Sequence, residues 1–389
     1  MTEPKGVTRR DVFLAGGGLA LGAAGGLFGS AALVPHGAIP ATSAGAERVT
    51  PFGSHQAGMS RPATPQGHGL IAVFDFLPGN PLTAAMLGAL SRAITACAVA
   101  QDASVVPDGA GDLTVTVGLG PRVISAIDTT LPGSAVLPDF LDDAVDPGAI
   151  GGDLLLAIYS SDAGALSPVL NRLVEAIGDI SPRWRQQAYR GTGEGAVVRN
   201  PLGFKDGIIV PHGETELAAN VWINRGPLAG GTVCVIRRLR LRTADFVALP
   251  ETRQESIIGR HRVDGSPLSG GGPDAAVNLT AKTPEGELIT PPRSHARAAH
   301  PSFTGSSLML RRGYAFANGD ISLPDGSVVD DSGLMFICFQ NELDTFVKTQ
   351  QRLDDLDDLR QYTTATASAT FLILPGFSAN VPLGSTLAL

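Results

Sequence analysis

Histidines are scarce in this 389-residue chain: seven, at positions 36, 55, 68, 212, 261, 295 and 300. The last two sit in the run SHARAAHP at 294–301. Five residues apart, His295 and His300 are awkward as two ligands on one helical face, so a paired-histidine metal site is not supported. A single axial histidine is enough for haem iron, which brings its other ligands with it. Taken alone, a lone loop histidine is an ordinary hydrogen-bonded residue. Asp206 lies in GFKDG at 203–207. An acid between glycines is usually a turn capped by its own carboxylate; in a cleft it would be an acid–base group. Arg311 and Arg312 follow an apolar run, either as a strand end meeting solvent or as cations facing an anion. Glu342 ends the apolar GLMFICFQNE at 333–342, as a solvated acid or a partner for a histidine. Cys97, Cys234 and Cys338 stand in apolar surroundings and read as small buried hydrophobes. Their odd number and wide spacing give no disulfide framework, zinc pair or covalent haem motif.

The elements that must hold these residues fall into two halves. Residues 69–77 (GLIAVFDFL), 113–118 (LTVTVG) and 153–159 (DLLLAIY) read as strands. Residues 82–99 and 168–177 carry apolar side chains at helical spacing. The order resembles β-α-β-β-α-β, a ferredoxin-like unit. In the second half, 221–223, 231–241, 334–340 and 370–374 read as strands, with helices at 243–259 and 343–359. Residues 264–300 form a long irregular stretch of the kind that is functional or disordered. The expected class is α+β, with two ferredoxin-like domains, 66–202 and 203–389, packed sheet to sheet. Residues 47–65, rich in Pro, Gly, Ser and Thr, read as a linker.

Hydrophobic residues make up 43% and charged residues 17%, enough apolar material for a core and incompatible with a disordered chain. The 48 glycines and 28 prolines show no G-X-Y period, which excludes collagen. A net charge of −8 and an aromatic content of 5% argue against a general nucleic-acid binder. At the N-terminus, Arg9 and Arg10 precede an apolar, glycine-rich run at 15–34, and Ala44-Gly45-Ala46 offers a small-x-small cleavage site. Residues 1–46 read as a twin-arginine (Tat) signal, with an uncleaved anchor as the alternative. The Tat machinery exports folded proteins, which suits a chain that takes up a cofactor before export. The expected location is periplasmic, cell-envelope or extracellular.

GFKDG at 203–207, GR at 259–260, SHARAAHP at 294–301, SSLMLRRGY at 306–314 and GLMFICFQ at 333–340, taken in that order, resemble one family. It is that of the dye-decolorising (DyP-type) haem peroxidases, specifically the exported deferrochelatase/peroxidase subgroup. The resemblance runs from about residue 66 to the end and is densest after residue 200. It implies non-covalent haem b as cofactor, a fold of the dimeric α+β barrel type, and hydrogen peroxide with organic or dye reductants as partners. It leaves a homo-oligomer open.

Residue by residue, the resemblance implies His295 as the proximal iron ligand, Asp206 as the distal acid and Arg311 as the distal arginine. Glu342 stands where an acid often bonds the proximal histidine. Arg260 and Arg297 are implied partners of the haem propionates. Gly207, Ile208, Ile209, His300, Pro301 and Ser302 occupy haem-lining positions. The acid would move a proton between the peroxide oxygens while the arginine stabilises developing charge. Bulky dyes would react at the surface, through aromatics such as Tyr314, Tyr362, Trp184 or Trp222. Three departures concern the pocket's polarity: Ile208 and Ile209 follow D-G, His300 replaces an Asn, and Gly313 stands where related subgroups have Asn. The alternative functions are release of iron from haem with the porphyrin left intact, and haem or other binding without catalysis.

Overall fold

The computed structural model describes residues 47–99, 102–191 and 193–389. The Tat signal expected at 1–46 lies outside the described residues. In the first half, β1 (His68–Phe76), α1 (Ala84–Ala98), β2 (Thr114–Leu119), α2 (Pro121–Ile127), β3 (Leu154–Ser160), α3 (Leu166–Ile177) and β4 (Ile180–Tyr189) follow one another. A short hairpin, β5 (Val198–Arg199) and β6 (Lys205–Asp206), leads to α4 (Gly213–Asn220). The second half contains β7 (Thr232–Leu241), α5 (Thr243–Val247), α6 (Glu251–Ile258), α7 (His295–Ala298) and β8 (Leu310–Arg311). It ends with β9 (Tyr314–Ser322), β10 (Val328–Gln340), α8 (Leu343–Leu356) and β11 (Thr363–Ile373).

The strands run in the order β7-β11-β2-β3-β1-β4-β9-β10, and β10 pairs back onto β7. The result is a closed antiparallel barrel, with β8 added to β10. The two four-stranded orders, β2-β3-β1-β4 and β9-β10-β7-β11, correspond strand for strand. They join through Leu372↔Leu119 and Ile373↔Gly118 on one side and Tyr189↔Ala315 on the other. The α+β class and the barrel are therefore as expected, but the sheets also meet edge to edge. Closing the barrel removes the exposed edges that open sheets must otherwise protect.

Strand alternation divides the core. On β1, Ile71 and Val73 enter the barrel interior with Cys234, Ile236, Met335, Ile337 and Phe339. Leu70, Ala72, Phe74 and Phe76 face outward to the helices. There α1 buries Leu87, Leu90, Ile94 and Cys97, and α3 buries Leu166, Val169, Leu170, Leu173 and Ile177. Each such Leu or Ile contributes about 1.5–3 kcal/mol of burial. The Thr83 hydroxyl accepts from Met86 N at 3.3 Å and starts α1. With both faces covered, these strands read as continuous apolar runs.

Several expectations are corrected. The helix expected over 243–259 is two, because Pro250 cannot donate within a helix and stands at the N-cap of α6. Residues 221–223 are not a strand. The stretch at 47–65 is not a loose linker: Gln56, Ala57 and Met59 are buried. Gln56 bonds Val117 N, Val117 O and Leu374 O, which clamps the seam where β2 meets β11.

The outer face of the second half is packed differently. Leu239 and Leu241 of β7 join Phe204, Phe246 and Ile257 in one cluster. Val235 and Cys338 join Phe140 and Phe346 in another. Both clusters contribute to the wall of a cavity instead of closing the space between sheet and α8.

Candidate active site

The cavity has a volume of about 310 Å³, within the size range of small-molecule sites, about 300–1,000 Å³. Its apolar walls come from Ile208, Val277, Leu334, Phe336 and Leu353; Asp206, His295 and Arg311 reach it from three separate segments.

Asp206 ends β6. Gly203 and Gly207, on either side, have φ of 87° and 90°, a backbone that favours glycine. A Cβ at Gly207 would stand 3.0 Å from Ala196 O. Phe204, between them, is buried in the wall and anchors the turn. Asp206 Oδ1 accepts from Gly207 N at 2.6 Å and from Arg311 Nη2 at 3.4 Å. Arg311 is held from the other side by Ile209 O, at 2.9 Å from its Nη1. Burial raises the Asp206 pKa, but the Arg311 charge, the Gly207 N–H and Arg190 outweigh it and hold the carboxyl below its ordinary value. Asp206 is thus ionised at neutral pH. Its Oδ2 has no hydrogen bond among the described residues.

His295 opens α7. Its Nδ1 lies 2.6 Å from Asp357 Oδ2. Asp357 caps the end of α8, and its Oδ1 accepts from Leu359 N at 2.9 Å. Burial lowers the His295 pKa, and the charge and hydrogen bond of Asp357 raise it further than burial lowers it. An aspartate acceptor puts the proton of a neutral imidazole on Nδ1 and leaves Nε2 as the ligating nitrogen.

The other expected residues divide. Gly207, Ile208, Ile209, His300 and Pro301 line the cavity. Glu342 does not: it is exposed at the opposite end of α8, and Asp357 takes the role expected of it. A helix of 14 residues is about 21 Å long, which separates the two acids. Arg297 also lies off the wall. Two residues beyond His295 on a helix, it points about 200° away. It bonds Leu279 O at 2.5 Å and lies over the Phe303 ring. Ser302 is likewise not part of the lining. Arg260 reaches the wall, but its two Nη atoms donate to Gly265 O, Pro273 O and Ala275 O. Of the aromatics expected to carry electrons between the haem and surface donors, Tyr314 and Trp222 are buried in the core. Asp357, Arg237, Arg360 and the 141–143 segment, none of them expected from the sequence, also lie at the cavity.

Haem fits this set of donors. One imidazole with its second nitrogen engaged is what a porphyrin iron needs from a protein. Among the described residues, no group of three or more His, Cys, Asp or Glu could hold a bare metal ion.

Comparison with known proteins agrees. The family described as "Dyp-type peroxidase, C-terminal" matches residues 198–378. A deferrochelatase of Escherichia coli (strain UTI89 / UPEC) is 30% identical over 305 residues, covering 73% of this chain and 70% of that protein. The chain belongs to the DyP-type peroxidase family. It is a haem peroxidase of that family by the same comparisons. The dye-decolorizing peroxidase of Thermobifida fusca is 32% identical over 297 residues, 70% of this chain and 66% of that one. DtpA from Streptomyces lividans, solved as an oxyferrous complex, superposes with a TM-score of 0.81 at 30% identity, covering 90% of this chain and 100% of that one. A DyP-type peroxidase from Streptomyces coelicolor gives a TM-score of 0.81 at 31% identity, covering 89% of this chain and 98% of that one.

Proposed function

We propose that His295 would hold the haem iron through Nε2 and that Asp206 and Arg311, in the same cavity, handle hydrogen peroxide, for the oxidation of dyes and other one-electron donors. The observation that carries this reading is the convergence in one cavity of a carboxylate-bonded imidazole and an ionised acid–guanidinium pair. Haem, when bound, supplies the iron that takes the peroxide and the oxidising equivalents that donors then discharge one electron at a time. Asp206, already ionised, accepts a peroxide proton at Oδ2 and returns it to the departing oxygen. Arg311 stays charged throughout, keeps Asp206 deprotonated and stabilises negative charge as the O–O bond breaks. Asp357 fixes the His295 tautomer and makes its Nε2 more electron-donating. The test is an absorption spectrum of the purified protein before and after one equivalent of peroxide. A Soret band at about 400 nm that responds to peroxide is expected. Its absence, or an unchanged response in both Asp206→Asn and Arg311→Leu, would sink the reading.

Iron release from haem is the second reading, favoured by the relatives named deferrochelatase. Free porphyrin formed from haem and an iron trap, without peroxide, would support it.

Export through the Tat machinery remains part of the proposal. It is supported by Arg9-Arg10 and the apolar run after them, and replacing both arginines by lysine should stop export. Two ferredoxin-like domains, 66–202 and 203–389, are supported by their matching strand orders.

A further inference from the structure

Arg260 and Arg297, the cations expected to meet the porphyrin's carboxylates, are both committed to backbone carbonyls. Two others reach the cavity. Arg237, on the outward face of β7, has a side chain only 4% exposed. It meets Asp143 at 2.5 and 2.7 Å and Ser368 Oγ at 3.0 Å. Arg360 Nε stands 3.5 Å from Asp142 Oδ2. Each guanidinium keeps one buried N–H without a partner among the described residues: Nε of Arg237 and Nη1 of Arg360. Both acids belong to one segment, 141–143, which crosses from the first half and lines the same cavity.

That segment is held by few bonds. Leu141 N donates to Asp354 Oδ2 at 3.1 Å, and Ala144 N to Ala365 O at 3.0 Å. Asp142 has φ of 61°, the one non-glycine residue with a left-handed backbone among the described residues. Such a backbone stores strain, even though Asp tolerates it better than most residues.

We infer that Arg237 and Arg360 recognise the two carboxylates of the porphyrin, and that Asp142 and Asp143 compete for the same guanidiniums as a latch which those carboxylates release. The inference rests on the haem reading above. Adding two carboxylates beside two intact Arg–Asp pairs would gather four negative charges around two positive ones, which is unfavourable. Exchange keeps each guanidinium paired with one carboxylate, whose planar geometry suits its fork. It also lets the strained Asp142 backbone relax.

The test is loss of haem from the holoprotein to excess apomyoglobin, followed by absorbance. Arg360→Gln and Arg237→Gln should speed haem loss by about tenfold or more, the effect of losing a charged hydrogen bond. Asp142→Asn and Asp143→Asn should slow it. Haem dimethyl ester, which lacks free carboxylates, should leave the parent faster than haem does and be indifferent to the arginine variants. Faster haem loss in the aspartate variants would make the acids mere supports and overturn the latch. Equal acceleration of ester loss by the arginine variants would overturn carboxylate recognition. Where Arg237→Gln fails to fold, Arg360→Gln and the ester on the parent protein still decide. A chain that takes up no haem defeats the haem reading itself, a result distinct from either of these.

Discussion

His295 Nδ1 lies 2.6 Å from Asp357 Oδ2, an aspartate at the C-terminal cap of α8 and not the glutamate at its start. The bond aligns the imidazole and enriches its other nitrogen. Asp357→Ala should therefore weaken haem retention by about 10–100-fold, the usual effect of losing a ligand's hydrogen-bond partner. Glu342→Gln should leave it unchanged. Matching haem-loss rates in the two variants would remove Asp357 from the iron's surroundings.

Asp206 gives a pH dependence whose sign follows from its lowered pKa. Unfolded, it titrates at about 3.9; folded, lower. The stability contributed by its pairing with Arg311 is therefore fully present above about 3.9 and is lost as pH falls through the folded value. Reaction with peroxide should follow the same direction, level through neutral pH and falling on the acid side below the ordinary carboxylate range. Arg311→Leu removes the largest lowering influence while burial remains, so the acid limb should move to higher pH. Stopped-flow rates across pH would read this directly, and a limb unmoved in that variant would detach the arginine from the acid.

Arg260 is a structural cation. Its three hydrogen bonds tie Gly265, Pro273 and Ala275 to the end of α6. Arg260→Leu leaves these carbonyls to find other partners, at a cost of about 1–3 kcal/mol. The melting temperature should drop while the rate of haem loss, measured below the transition, stays near that of the parent. A large gain in haem loss with unchanged melting would return Arg260 to the role of carboxylate partner.

How far the site was legible depends on the kind of signal each residue carries. Asp206 sits between two glycines that the backbone requires at positive φ, so its turn is written locally. His295 and Arg311 lie in runs whose order carries the family resemblance. Asp357 is one of four aspartates at 354–358, and only the end of α8 selects which of them meets the histidine. Arg237 lies inside an apolar strand, and its exposure to a cavity depends on α8 standing off from the sheet. The strands of the first half were plain because both their faces are buried. β4, with its alternating exposure and charged residues, carried no comparable apolar run. The clamp formed by Gln56 was hidden by a polar composition that also suits a linker.

Gly313 bears on how freely Asp206 can act. A Cβ at that position would stand 3.8 Å from Asp206 Oδ2 and 3.3 Å from Leu334 Cδ1. The Leu334 contact is the tighter of the two, and a flexible side chain can yield there. Gly313 does not have positive φ, so its backbone accepts other residues. Gly313→Asn would bring an amide N–H toward Asp206 Oδ2, which has no hydrogen bond among the described residues. That bond would stabilise the ionised acid and make it a poorer base. The variant should keep haem and its spectrum, react with peroxide about tenfold more slowly or worse, and show its acid limb shifted to lower pH. An unchanged rate would mean that Oδ2 is not the oxygen that takes the peroxide proton. A faster rate would mean that an amide at this position assists peroxide cleavage instead of restraining the acid.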